Sequence, residues 1–325
     1  MQKNTNKKFV PPIVFAVLAL IAVVSFVAQT NRRQPAPGKL NFAAMNFADN
    51  FALDANRAVV VQTTNANLSA NALSDSINGR NLDCKNNLIW AFGGKAQRGW
   101  YLYESLIVET IFDKNAKDND FSRALARWQQ TNGVEPNGVL DETALAAMIK
   151  SWQSNRLKNH DYAAPDNLLT APAEDFWDAA RAPDLRQVER ETYAAYKKMI
   201  RAAAADKSLK LSVDSNGNLA ANEKFLKIVS AFRSREHQAR LRAASPNSGR
   251  AGLAVNSPHF TGHALDIYVG GEPVETKDQN RFVQINTPVY KWLIKNAGKF
   301  GFKPYFYEPW HWEYAPDENA RATAN

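Results

Sequence analysis

The sequence predicts an α+β fold. An antiparallel sheet with flanking helices is expected in the last part of the chain, preceded by a small helical domain and an N-terminal transmembrane helix. Three observations support this. The chain opens on an uncharged apolar run, helical periodicity marks residues 99–149, and strand-like runs beyond residue 185 do not alternate regularly with helices. Irregular alternation favours an antiparallel sheet over a parallel one.

The N-terminal segment has the length of a membrane-spanning helix. No charged residue lies between Lys8 and Arg32, an interval that contains FVPPIVFAVLALIAVVSFVAQ. A bilayer is crossed by about 20 apolar residues. The preceding lysines place that end in the cytoplasm and the rest of the chain outside. We predict an uncleaved single-pass anchor within residues 1–30. A cleavable signal peptide is the alternative, although the best cleavage motif, ending at Ala28, begins with a bulky phenylalanine.

Composition excludes several classes of protein. The 325 residues, 45% of them apolar, are enough for two compact domains. The 40 basic and 32 acidic residues give a net charge of +8 without a long block of one sign, so we expect no nucleic-acid partner. Cys84 is the single cysteine, which excludes an internal disulfide and cysteine-rich metal sites.

A helical domain is predicted over residues 81–153, after a linker at 31–80 that is rich in Asn, Ala, Gln and Ser and could contain short ordered pieces. The run 99–112 is apolar enough for a buried helix. In FSRALARWQQ, apolar residues recur at the spacing of one helix face: Phe121, Ala124, Leu125 and Trp128.

A second helix follows the turn Asn137-Gly138, with Asp141 as its N-cap. The features WQQ-TNG-V, NGVLD and the run from Thr143 resemble the latter half of the peptidoglycan-binding domain type 1. This resemblance implies contact with the cell wall, and a generic helical hairpin is the alternative.

The domain that mixes helices and strands is predicted over residues 185–316, between a proline-containing connector at 154–184 and a tail at 317–325. Its first element is a long amphipathic helix, 185–205. Strand-like runs follow at 209–213, 227–232 and 263–269, and in the final aromatic segment. A further helix starts after Thr287, with this residue as N-cap and a proline at the first helical position.

Two histidines and an aspartate in this domain have the residue types of a zinc site. His259 follows a turn-rich segment, Asp266 lies in a strand-like run, and Gly262 lets the chain bend between them. His311 lies in YEPWHWEY, among aromatic and acidic residues. Three such ligands with one position left for water are typical of catalytic zinc, which lowers the pKa of its water to about 7. The alternative is a set of core residues in an aromatic strand.

Two charged residues suit hydrolysis at such a site. Glu308 lies three residues before His311, within reach of a water on the metal, and could carry the proton of that water to a leaving amine. Arg233 has a permanent charge and could hold a developing oxyanion.

Three ordered blocks resemble the zinc-dependent D-Ala-D-Ala carboxypeptidases of the vancomycin-resistance type, which share their fold with the hedgehog signalling domain. The blocks are SAFRSREHQ at residues 230–238, SPHFTGHALD at 257–266 and GFKPYFYEPWHW at 301–312. The resemblance covers about 185–316 and implies this hedgehog/DD-peptidase fold. The first block departs from the family at Ala231, where glycine is common.

The resemblance implies a role for each residue of the predicted centre. Zinc would be bound by His259, Asp266 and His311. Glu308 would be the general base, and Arg233 would polarise the scissile carbonyl.

The same blocks imply supporting roles around this centre. Ser257 and Tyr305 would bind the substrate, and Gln238 would either contact the substrate or order the loop around the arginine. Trp310 and Trp312 would wall the metal site, exclude water and fix the ring of the last histidine.

The other histidines and a nearby acid are expected to lie outside the metal site. His263 has a metal-like spacing from the first predicted ligand, but the family pattern leaves its position free. His237 is predicted to be an exposed polar residue and His160 a solvated loop residue. Glu313 is a candidate second acid that points to the face opposite Trp312 if the strand is regular.

The sequence thus predicts a membrane-anchored zinc peptidase that trims peptidoglycan stem peptides on the outer side of the membrane, by default removing a terminal D-Ala. A peptidoglycan endopeptidase or an L,D-carboxypeptidase would use the same chemistry. A non-catalytic, zinc-containing wall-binding module is the alternative from another class. The presence of Glu308 and Arg233 favours the enzyme.

Overall fold

The computed structural model describes residues 64–112, 120–245 and 253–316, with side chains from residue 75 onward. All of them lie in one unit, Val60–Asn325. The predicted anchor (1–30) and tail (317–325) fall outside the described residues. Within the described ranges, no helix is both long and apolar enough to cross a bilayer.

Helices precede and flank the sheets. In the described ranges they are α1 (Thr64–Asn87), α2 (Glu104–Ile111), α3 (Phe121–Thr131), α4 (Glu142–Ser154), α5 (Arg190–Ala205), α6 (Arg235–Ala244), α7 (Asp278–Ile285) and α8 (Pro288–Asn296). The strands are β1 (Ile89–Phe92), β2 (Lys95–Arg98), β3 (Leu168–Thr170), β4 (Gln187–Glu189), β5 (Ile228–Ser230), β6 (Ala264–Ile267), β7 (Phe302–Pro304) and β8 (His311–Tyr314).

The strands form two two-stranded sheets, β1-β2 and β3-β4, and one four-stranded sheet with the order β5-β6-β8-β7. Every pair of named strands is antiparallel. The predicted α+β class with an antiparallel sheet is therefore confirmed.

Helix caps follow the chemistry expected from the sequence. Asp141 accepts a hydrogen bond from the Ala144 backbone N–H at 2.9 Å and so begins α4. Thr287 accepts from the Tyr290 N–H at 3.1 Å and begins α8. Each cap satisfies a backbone donor that the first helical turn leaves without a partner.

Several predicted boundaries were wrong. Residues 64–80 of the predicted linker belong to α1. The helix predicted from residue 185 begins at Arg190, because Val188 is in β4 and Glu189 caps the helix. The run 209–213 forms no strand beyond an isolated bridge at its last residue. Apolar and polar residues alternate in this run, but no strand of the described residues pairs with it along its length.

The hairpin β1-β2 was not predicted from the sequence. Its turn is Gly93-Gly94, with φ of 58° and 81°, values that favour glycine. A Gly-Gly pair between two short runs is a known hairpin signal.

Apolar packing joins the helical segment to the main sheet. The Phe306 ring lies 4.7 Å from Phe92, 5.3 Å from Tyr103 and 5.8 Å from Trp152, measured between ring centroids. Buried Arg281 donates from Nη1 to the Tyr307 carbonyl at 3.1 Å and from Nη2 to the Tyr103 hydroxyl at 3.3 Å. The helical domain (81–153) thus packs directly on residues 305–310, the connection between β7 and β8 that contains Glu308.

We expect a Gly262→Ala substitution to destabilise the fold strongly. Gly262 has a φ of 72°, and a Cβ atom there would lie 2.9 Å from the Glu189 Cβ and 3.1 Å from the Leu168 Cδ2. Gly217 is a matched control, since its φ is 76° but an added Cβ meets no heavy atom of the described residues within 4 Å.

The left-handed conformation should cost Gly217→Ala about 1 kcal/mol, and Gly262→Ala should lose at least about twice as much because packed neighbours must move. Denaturant unfolding measures both free energies. Equal losses would show that the close contacts at Gly262 are tolerated.

Candidate active site

Asp266 lies at the centre of the candidate site because of the strand register. It pairs with Ser230 of β5 on one side and with His311 of β8 on the other. Its Oδ1 lies 3.0 Å from His311 Nδ1 and 3.3 Å from His259 Nε2. The three residues are buried and offer ligand atoms that all lie within 4.8 Å of one another. The structure thus brings the predicted triad together.

His259 is held by a short 3-10 helix, Pro258–Thr261, that precedes β6. Ser257 caps this helix by accepting from the His259 N–H at 3.3 Å. The imidazole donates from Nδ1 to the Ala231 carbonyl at 2.6 Å. A carbonyl only accepts, so Nδ1 carries the proton and Nε2 turns its lone pair toward Asp266.

Arg233 is the cation next to the triad. It donates from Nε to Ser230 Oγ at 2.9 Å, from Nη1 to Gln238 Oε1 at 3.4 Å, and from Nη2 to Asp266. Burial opposes ionisation of Asp266, but the adjacent guanidinium of Arg233 holds the pKa of this carboxyl well below the usual range. These bonds use three of the five guanidinium N–H groups, which leaves donors for a ligand in the cavity.

Glu308 is placed by two backbone turns. Its N–H donates to the Tyr305 carbonyl at 3.1 Å, and its carbonyl accepts from the His311 N–H at 3.0 Å. Burial, reinforced by the charge of Asp266, raises the pKa of Glu308 to about 8. A carboxyl group whose pKa lies near the working pH can both take and return a proton.

The donor set fits a divalent metal ion. Two imidazoles and one carboxylate are ligands that zinc accepts. The outer nitrogen of each imidazole has its own partner: Ala231 for His259, and Glu313 for His311, whose Nε2 lies 3.1 Å from the Glu313 Oε1. Such outer partners are typical of histidines that bind metals. In the described ranges, no second group of His, Cys, Asp and Glu has this arrangement.

A cavity of about 820 Å³ opens onto the triad. It lies within the usual range for a ligand pocket, about 300–1,000 Å³. Arg233, Ser257, Tyr305 and Glu308 line it together with the triad. Residues upstream of the predicted peptidase domain supply part of its wall: Phe92, Gly93 and Gln153 from the helical domain, and Arg156 and His160 from the connector. The predicted site residues therefore converge on one cavity, with Gln238 as the exception.

Gln238 does not line the cavity. It is buried behind Arg233 and donates from Nε2 to the Ala254 carbonyl at 2.9 Å. The interpretation that it orders the loop around the arginine agrees with these contacts. A direct contact with substrate does not.

The prediction for Trp312 was wrong. Trp310 lines the cavity, but Trp312 is buried on the other face of β8, where it pairs with Leu265 and packs against Tyr290 at 6.5 Å. Successive side chains of a strand point to opposite faces, so Trp312 cannot share the face of His311.

Glu313 contacts His311 directly, although it was predicted only as a candidate second acid. Residues 311 and 313 share one face of β8, and the Glu313 carboxylate, which is fully buried, touches the imidazole of His311. The period of two along the strand was the signal that could have identified it.

The remaining histidines lie outside the triad. His263 Nδ1 is 2.8 Å from Thr192 Oγ1, consistent with the expectation that it is not a ligand. His237 is half-buried, not exposed, on α6. His160 lies in a loop, as predicted, and is half-buried; it also lines the cavity, with its Nδ1 3.0 Å from the Asn256 carbonyl.

We expect the metal-free protein to lose stability between pH 6.5 and 8. Burial raises the pKa of Glu308 to about 8, above the ordinary 4.5. Burial alone would lower the pKa of His311, but hydrogen bonds to Asp266 and Glu313 raise it from 6.5 to about 9. Across this interval both groups bind more protons in the folded state than in the unfolded state. Their contribution is therefore present at low pH and is lost as the pH rises.

The measurement is the Tm of chelator-treated protein at both pH values. The decrease in Tm should be smaller in Glu308→Gln, which cannot titrate. A Tm that stays constant or rises with pH would contradict these pKa directions.

A known protein family matches the part of the chain that contains the candidate site. The family described as D-alanyl-D-alanine carboxypeptidase (VanY) matches residues 185–317, which include every residue of the triad, Arg233 and Glu308. A search of curated proteins found no match to the chain. The family match does not extend to residues 81–153, whose resemblance to a peptidoglycan-binding domain stays a prediction.

Proposed function

Because residues 185–317 carry a domain of the D-alanyl-D-alanine carboxypeptidase family, we propose that this protein is a zinc-dependent peptidase that removes the terminal D-Ala from peptidoglycan stem peptides. The observation that carries the proposal is the convergence of the triad, Glu308 and Arg233 on one cavity. A cell-wall substrate follows from the family.

His259, Asp266 and His311 would hold the metal. When bound, zinc supplies Lewis acidity that lowers the pKa of water to about 7. The buried donor atoms within 4.8 Å of one another support this assignment. The hydrogen bond from His259 to Ala231 supports it as well, because it leaves the opposite nitrogen free to coordinate.

Glu308 would act as the general base. Its carboxyl group lines the cavity beside the triad, and its raised pKa suits proton transfer near neutral pH. It would accept the proton of the attacking water and give it to the leaving amine nitrogen.

Arg233 would donate to the scissile carbonyl oxygen. Its guanidinium is held by hydrogen bonds to Ser230 and Asp266, so the side chain loses little conformational entropy when a ligand binds. Preorganised donors of this kind stabilise the negative charge that develops on the oxygen. Ser257 and Tyr305 would contact the peptide from the cavity wall.

The location of the enzyme is part of the proposal. The uncharged run before Arg32, with lysines on its N-terminal side, supports a single-pass anchor in the cell membrane. The catalytic domain would then lie outside the cytoplasm, where peptidoglycan stem peptides are found.

The test is mass spectrometry of muropeptides after incubation with the full-length protein. Pentapeptide monomers, tetrapeptide monomers and cross-linked dimers serve as substrates, with and without a chelator. Loss of one alanine from the pentapeptide, abolished by the chelator, is the expected result.

Other products would identify a different peptidase activity. Conversion of dimers to monomers would identify an endopeptidase, and loss of the terminal residue from tetrapeptides would identify an L,D-carboxypeptidase. No cleavage by protein with bound zinc would overturn the enzymatic proposal and favour a wall-binding module.

A further inference from the structure

The segment upstream of the family match contacts Glu313, the carboxylate beside the metal site, through Arg156 and Leu157. Arg156 follows α4 and lies 157 positions before Glu313 of β8 in the sequence. Its Nε donates to Glu313 Oε1 at 3.1 Å, and its Nη2 donates to the same oxygen. The next residue, Leu157, donates its backbone N–H to Glu313 Oε2 at 2.9 Å. Both carboxylate oxygens are thus held from the upstream segment.

The same carboxylate holds His311. Glu313 Oε1 lies 3.1 Å from His311 Nε2, while His311 Nδ1 lies 3.0 Å from Asp266 Oδ1. An imidazole can present either nitrogen to a metal, and a carboxylate that accepts from one nitrogen fixes the other as the coordinating atom. Glu313 therefore selects Nδ1, the nitrogen that faces Asp266.

Glu313 needs a cation to fill this role. Its side chain is 0% exposed, and a buried carboxylate without a positive partner is costly. Arg156 supplies the charge and is itself fixed. Its guanidinium lies 3.9 Å from the centroid of the Tyr305 ring, and its Nη1 donates to Gln153 Oε1 at 3.2 Å. Both contacts limit the positions that the guanidinium can take.

We propose that Arg156 and Glu313 are positioning residues of the metal site, and that the segment upstream of the family match completes that site through them. The inference rests on the proposed function only in that the triad binds a divalent metal ion. It gives the helical segment a role in the catalytic unit that is independent of any contact with the wall.

The test measures the zinc dissociation constant of the full-length protein by competition with a chromogenic chelator. Glu313→Gln keeps the shape of the side chain but removes its charge, and we expect it to weaken zinc binding by about 10–100-fold. Arg156→Ala should weaken it similarly, and Arg156→Lys should restore part of the loss. The visible spectrum of the Co²⁺-loaded protein should change in Glu313→Gln, because the orientation of a coordinating imidazole changes.

Lys85→Ala is the control for the upstream segment. It removes an ion pair with Glu104 that lies away from the cavity, Nζ to Oε1 at 2.6 Å, and zinc binding should stay unchanged. Since Arg156 acts through Glu313, the double variant Arg156→Ala/Glu313→Gln should bind zinc no more weakly than the weaker single variant.

Unchanged zinc affinity in folded Glu313→Gln or Arg156→Ala would overturn the proposal, and so would losses that multiply in the double variant. The zinc dissociation constants can be interpreted whatever the outcome of the muropeptide test. Zinc binding with the expected pattern but without cleavage would sink the enzymatic assignment and leave this inference standing.

Discussion

Glu308→Gln is expected to lower the rate of peptide hydrolysis by about 10²–10⁴-fold, the usual contribution of a positioned proton carrier. Glutamine has nearly the same shape as glutamate but cannot accept the proton of the attacking water. Glu308 is not a member of the triad, and its backbone bonds to Tyr305 and His311 do not involve the side chain. Zinc affinity should therefore stay close to that of the unsubstituted protein.

Two measurements distinguish a loss of catalytic rate from a loss of metal binding in this variant. Release of D-alanine gives the rate, and the increase in Tm on addition of zinc reports metal binding. Glu142→Gln is a suitable control, because Glu142 is an exposed acid at the start of α4. A Glu308→Gln protein that binds zinc and retains most of the activity would remove Glu308 from the mechanism.

Asp266→Asn should abolish the stabilisation by zinc and destabilise the metal-free protein. Asp266 is the residue on which His259, His311 and Arg233 all converge. Loss of a ligand should weaken zinc binding by more than the 10–100-fold that is typical for outer partners. In the metal-free protein, Arg233 would lose its buried counter-charge, which typically costs about 3–5 kcal/mol.

Thermal unfolding with and without zinc measures both effects. A ligand at 100 times its dissociation constant adds about 2.7 kcal/mol of stability, so the unsubstituted protein should show a clear increase in Tm that Asp266→Asn lacks. Ser234→Ala, which removes the cap of α6 outside the metal site, is the control that should keep the increase. If Asp266→Asn gained as much Tm from zinc as the unsubstituted protein, the triad would not be the metal site.

Local chemistry made part of the structure predictable. The caps at Asp141 and Thr287 and the bend at Gly262 depend on neighbours within a few residues, and all three are present in the structure. The triad was also identified from the sequence, because zinc demands particular residue types and three ordered blocks carried them. Its convergence on one cavity is the structural counterpart of that prediction.

Other features depend on which strands pair and which surfaces meet. The sequence could not show that 209–213 lacks a long partner strand, or that Trp312 points into the core. The polar neighbours Asn159 and Asp161 predicted a solvated loop at His160, but they did not mark it as part of a cavity wall. The positions of Trp312 and His160 are set by segments distant in the sequence.

By itself, the sequence determined the mixed fold class, the helix caps and the residues able to bind a metal, since each depends on residue type and short-range spacing. The tertiary structure alone decided that Arg156 meets Glu313 across 157 positions, and that the helical segment forms a wall of the cavity. Local periodicity records which face of an element is apolar, but not the partner that covers it. That partner is chosen when the whole chain packs.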